Sequence, residues 1–154
     1  KWCALNCTLS NYLEIGYAPY MSSEKTVTLY EILGGEEPIR RIVDGFYDYM
    51  ETLPEAADVL ALHPKNLASS RDKFFWFLVG WMGGPDLFVE RFGHPRLRAR
   101  HLPFRIDTAA RDQWMLCMEK TLEKEVSDKQ IRIQLLGAFS RLADHMRNTP
   151  DKPS

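Results

Sequence analysis

His101 closes a segment whose residue types suit metal ligation: Gly93-His94-Pro95-Arg96-Leu97-Arg98-Ala99-Arg100-His101-Leu102-Pro103-Phe104-Arg105-Ile106. Pro103 stops any helix that carries the histidine, and Phe104 and Ile106 are apolar anchors. An imidazole fixed in this way can offer a ring nitrogen to a metal as an axial ligand. A histidine taken alone is ordinarily a core or surface side chain, so the flanking pattern carries this reading. Arg91, Arg96, Arg98, Arg100 and Arg105 crowd around His94 and His101, as a solvated face or an anion site would. Further candidates for chemistry are Tyr47, His63 before Pro64, Ser70, Lys73 and Trp114.

Helices position these groups. A short helix is expected around residues 27–33, ending at Gly34-Gly35. A second starts near Glu36, with Pro38 in its first turn, and is broken by Pro54. Its Ile39, Ile42, Val43, Phe46, Tyr47 and Met50 recur every three to four residues, which is one buried stripe. Tyr47 lies in that stripe, so its hydroxyl needs a partner. A turn of helix over 55–62 leads to the corner His63-Pro64. Asn66 is the expected N-cap of a helix to Met82, stopped by Gly83-Gly84-Pro85. Ser70, Phe74, Phe77 and Trp81 share one face of it. Residues 85–93 read as a connector with room for one helical turn. Asp107 caps a helix to about Glu125, with Ala110, Trp114, Cys117, Met118 and Thr121 inward. Ser127-Asp128-Lys129-Gln130 fits a capping box for a last helix to Asn148, carrying Ile131, Leu135, Phe139, Leu142 and Met146. No strand pattern or repeat occurs, so the expected class is all-α.

At 154 residues one domain is expected. Its bounds are an N-terminal extension over 1–26, partly ordered, a helical domain over 27–148 and a frayed tail over 149–154. Tyr12, Tyr17 and Tyr20 could dock the extension on the body or on another subunit. Twenty basic against 21 acidic residues argue against a nucleic-acid coat. Three cysteines, Cys3, Cys7 and Cys117, make no disulfide framework and only a weak zinc case. No membrane span or signal peptide is expected, and a cytoplasmic location is the default.

The run Gly93 to Arg105 resembles the proximal segment of the group II truncated haemoglobins. Tyr47, in Gly45-Phe46-Tyr47, and Trp114, in Arg111-Asp112-Gln113-Trp114-Met115-Leu116-Cys117-Met118, are similar to that family's distal tyrosine and its marker tryptophan. The resemblance spans about residues 27–148. It implies a two-over-two globin fold around one haem, with His101 as proximal iron ligand. Without a Cys-x-x-Cys-His motif the haem is expected to be b-type. Arg100 and Lys73 are the expected propionate partners. Phe74, Leu78, Met82, Phe88, Leu97, Phe104, Ile106, Met118 and Phe139 are candidates for the apolar slot.

On the distal side the resemblance implies that Trp114 donates its indole N–H to the bound ligand. Two positions depart from the commonest pattern. His63 falls where haem globins often carry phenylalanine and this group a polar residue, and could join Tyr47 and Trp114. Ser70 falls where many globins have a distal histidine, and its hydroxyl is expected to bond to its own helix. The implied ligands are O2, NO and CO, and the implied uses oxygen storage or transport, nitric oxide oxidation and peroxide turnover. A reductase partner and a monomer or homodimer fit these uses. The competing reading is a haem-free helical interaction or regulatory module, with a structural His101 and an anion-binding arginine cluster.

Overall fold

The computed structural model describes residues 27–151. The extension over 1–26, with Cys3, Cys7, Tyr12, Tyr17 and Tyr20, lies outside the described residues. Helix α1 (Leu29–Leu33) opens on a capping box in which the Thr28 hydroxyl accepts the Glu31 N–H and the Glu31 carboxylate accepts the Thr28 N–H. Gly34 ends it at φ 95°, a left-handed conformation that a Cβ would strain. In α2 (Glu36–Thr52) the whole stripe from Ile39 to Met50 is buried, as its spacing requires. A 3-10 turn (Pro54–Ala56) and α3 (Ala57–Ala61) lead to the His63 corner.

Helix α4 (Ala68–Trp81) starts later than expected. Leu67 takes the cap position, while Asn66 Oδ1 accepts the Ala68 N–H at 2.9 Å in the turn ahead. The expected connector contains α5 (Leu87–Phe92), and the basic segment contains α6 (Leu97–His101). Asp107 caps α7 (Thr108–Glu125) by accepting the Ala110 N–H. Asp128, rather than Ser127, caps α8 (Lys129–Met146), accepting from Gln130 and Ile131. Among the described residues there is no strand, and no helix is long and apolar enough to cross a membrane.

Helix α2 packs on α4, α7 packs on α8, and the pairs meet where α2 lies against α7. That is the two-over-two arrangement. At the meeting point a Cβ on Gly45 would stand 3.2 Å from Thr121 Cγ2. The missing side chain lets the backbones close in. Thr121 is fully buried, and its hydroxyl donates to the Cys117 carbonyl at 2.8 Å. Residues 149–151, expected to fray, are instead tied back. The Thr149 N–H donates to the Ile106 carbonyl at 3.2 Å, and Asp151 accepts the Thr108 N–H and hydroxyl, each at 2.9 Å. These bonds join residues more than forty positions apart, which no local pattern announces.

Candidate functional site

Between the helix pairs lies a cavity of about 380 Å³, within the range of small-molecule and cofactor pockets. His101 lines one side. Its Nδ1 lies 2.7 Å from the Leu97 carbonyl, one turn back on α6. A carbonyl can only accept, so Nδ1 carries the proton and Nε2 keeps its lone pair for a metal. His94 is exposed and absent from the cavity lining. Its Nδ1 accepts the N–H of Arg96, which sits at φ 46°.

Tyr47, His63 and Trp114 line the same cavity. The Tyr47 ring meets Phe46 and His63 edge-on at 5.0 and 5.8 Å, and Arg71 lies 5.5 Å over it. Arg71 is held there by Asp48 and Glu51, each at 2.8 Å. Burial pushes the Tyr47 phenol up, only partly offset by the Arg71 charge, so it stays protonated and able to donate. Trp114 is wedged among Phe46, Phe74 and Phe139, with ring centroids at 4.8, 6.1 and 5.9 Å. Among the described residues neither the Tyr47 hydroxyl nor the Trp114 N–H has a hydrogen-bond partner. The partner expected for Tyr47 inside the protein is thus not among the described residues, and both donors face whatever occupies the cavity.

His63 repeats the His101 arrangement, with Nδ1 2.8 Å from the Val59 carbonyl. Burial lowers its pKa, the bond to the Val59 carbonyl opposes this, and the nearby His101 ring adds to the lowering. Neutral His63 therefore carries its proton on Nδ1 and presents Nε2 as an acceptor, not as a third donor. Ser70 lines the cavity, but the expected bond from its hydroxyl to its own helix does not form.

Phe74, Phe104, Ile106, Phe88 and Leu97 line the cavity, while Leu78, Met82, Met118 and Phe139 are enclosed in the core. The reason is angular. At roughly 100° per residue, the cavity-facing strip of α4 is centred between Ser70 and Phe77, and Leu78 points about a quarter-turn away. Lys73 and Arg100 reach the rim. Arg100 Nε donates to the Pro95 carbonyl at 2.8 Å, leaving its terminal nitrogens for an anion. Arg111, which sequence reasoning missed, also lines the cavity, with Nε on Asp112 and Nη1 on Asp144. Leu62, Leu142 and Met146 were missed as lining residues too. The rest of the arginine cluster does not form one anion site. Arg98 donates to the carbonyls of His145 and Arg147, and Arg91 folds over Trp76 at 4.6 Å.

An imidazole with a bare nitrogen, an apolar slot, cations at the rim and two unpartnered donors fit a haem and its small ligand. Comparison with known proteins agrees. The bacterial-like globin family model matches residues 28–148. Group 2 truncated hemoglobin YjbI of Bacillus subtilis is 37% identical over 119 residues, covering 77% of this chain and 87% of that protein. Among solved structures, the cold-adapted truncated haemoglobin of Pseudoalteromonas haloplanktis superposes with a TM-score of 0.78 at 51% identity, over 80% of this chain and 99% of that one. The group II 2-on-2 haemoglobin of Agrobacterium tumefaciens gives 0.79 at 42% identity, over 84% and 100%. The haem-free reading gives way to a globin with haem-based binding of small gaseous ligands, and this chain belongs to the bacterial-like globins, within the group II truncated haemoglobins.

Proposed function

We propose that the chain holds a noncovalent b-type haem through His101 Nε2 and binds oxygen reversibly beneath Trp114 and Tyr47. The observation that carries this is the pairing of a carbonyl-locked His101 with two unpartnered donors around one cavity. When bound, the haem supplies a ferrous iron that coordinates a diatomic ligand and shifts electron density onto it. Trp114 then offers a donor already oriented by three packed rings, so little reorganisation is needed on ligand arrival. Tyr47 adds a hydroxyl that can rotate between the ligand and His63 Nε2. Lys73 and Arg100 pair with the propionates.

The same donors would suit oxidation of nitric oxide by oxygen to nitrate, for which the haem would supply the redox chemistry and a reductase partner the electron. They also suit peroxide reduction, since each reaction places negative charge on the atom they face. The experiment is an absorption spectrum of the protein before and after haem reconstitution, then a reversible oxygen titration of the reduced form. An intense Soret band that shifts reversibly with oxygen, and a pyridine haemochrome of b type, are expected. No Soret band after reconstitution overturns the reading.

A further inference from the structure

The side chain of Asn148, just beyond α8, sits against the backbone that follows the proximal histidine. Its Nδ2 donates to the His101 carbonyl at 3.0 Å and to the Phe104 carbonyl at 2.9 Å. Its Oδ1 accepts the Ile106 N–H at 3.1 Å and the Thr149 hydroxyl at 2.9 Å. An asparagine amide has two donor hydrogens and two acceptor lone pairs, and all four are used. The backbone N–H of Asn148 also reaches the Ile106 carbonyl at 3.0 Å. One residue thus grips positions 101, 104 and 106, two of which, Phe104 and Ile106, line the cavity with His101.

Helix α6 is too short to fix His101 by itself. It has five residues, begins after the left-handed Arg96 and has no side-chain N-cap. We infer that Asn148 is the positioning residue for the proximal ligand: it sets the depth and tilt at which the His101 ring meets the haem iron, by clamping the backbone on the C-terminal side of His101. The inference rests on His101 being that ligand. Partners that orient a metal-bound histidine are worth roughly 10–100-fold in metal affinity, and a clamp on the histidine's backbone belongs at the lower end of that range.

The test is the iron–histidine stretching band in the resonance Raman spectrum of the ferrous, ligand-free protein. Asn148→Ala removes the clamp. Asn148→Asp keeps the acceptor but turns a carboxylate oxygen towards two carbonyls. Both should shift and broaden the band and speed haem loss by about tenfold. Asp151→Ala, which loosens the tail at Thr108 without touching 101–106, should keep the wild-type band. In a His101→Gly background with imidazole supplied, the iron's ligand is cut free of the backbone, so Asn148→Ala should leave the band where it is.

A wild-type band in both Asn148 variants, an equal shift in Asp151→Ala, or a shift that persists with free imidazole overturns the inference. If instead the band and haem binding ignore His101→Gly, the assignment of the ligand itself has failed, a distinct result. Should the Asn148 variants not fold, amide exchange in the haem-loaded wild-type protein decides. Ile106, Asn148 and Thr149 should open as one unit, and independent opening of Ile106 overturns the clamp.

Discussion

Gln113 accepts the backbone N–H of Val59 at 3.0 Å through its side-chain oxygen. The carbonyl of that same valine receives the His63 Nδ1 proton. Gln113 Nε2 also donates to Asp58 at 3.0 Å, so α3 hangs from α7 at the residue before Trp114. The tryptophan and the His63 corner are therefore braced by one side chain. Gln113→Ala should cost about 1–2 kcal/mol in denaturant unfolding, since it removes two bonds and strands a half-buried N–H. Unchanged stability would mean that water replaces both bonds.

His101→Gly should retain little haem until imidazole is added, which should restore a five-coordinate ferrous spectrum. Haem retained with an unchanged spectrum would make another residue the ligand. His94 would then have to leave its bond to the Arg96 N–H.

Trp114 should control oxygen release more than Tyr47. An indole locked among three rings only donates and cannot turn away. A hydrogen bond to a charged acceptor is worth roughly 1.5–3 kcal/mol. Trp114→Phe should therefore speed release by roughly ten- to a hundredfold. Tyr47→Phe should do less, or slow release, because a phenol hydroxyl can rotate away from the ligand, and its loss frees space for another donor. Stopped-flow release from the two variants measures this directly, and a change within about twofold for Trp114→Phe would reduce that residue to packing.

His63 should not bind iron as a sixth ligand in the resting ferrous protein, although its bare Nε2 faces the cavity. Its Nδ1 is pinned to Val59 and Pro64 restricts the corner behind it. A low-spin, six-coordinate ferrous spectrum that His63→Ala abolishes would contradict this.

Burial also makes His63 a source of pH dependence. Its folded pKa is depressed below the ordinary value of 6.5, so the unfolded chain binds the proton more readily. The stability it contributes is fully present above pH 6.5 and is lost as pH falls through the folded pKa. His63→Gln should flatten that part of the stability profile, read as denaturant midpoint against pH. An unaltered slope below pH 6.5 would place the titration elsewhere.

Much of this arrangement is legible in the sequence where local rules act alone. The α2 stripe, the Gly34 stop and the Asp107 cap each follow from spacing or from backbone chemistry within a few residues. Helix α6 is not legible, because five residues rich in arginine carry neither a cap nor an apolar period. Leu78 and Phe77 are adjacent on a helix that is apolar nearly all round, so hydrophobicity cannot tell the cavity side from the core side. Arg111 reads as part of a charged surface beside Asp112, and only the approach of α8, with Asp144 and Met146, turns it to the cavity. The ties from Asn148 and Asp151 to residues 101–108 arise from tertiary approach alone.

The contact between Gly45 and Thr121 has a consequence for ligand choice. Gly45 precedes Tyr47 by two residues, and Thr121 follows Trp114 by about two turns. The clearance between the hydroxyl and the indole is thus inherited from the separation of two backbones, as the gap of a caliper is set at its hinge. A methyl group at position 45 would lever α2 from α7 and open that gap with both donors intact. Size discrimination among ligands is then tunable from a seam that no ligand touches.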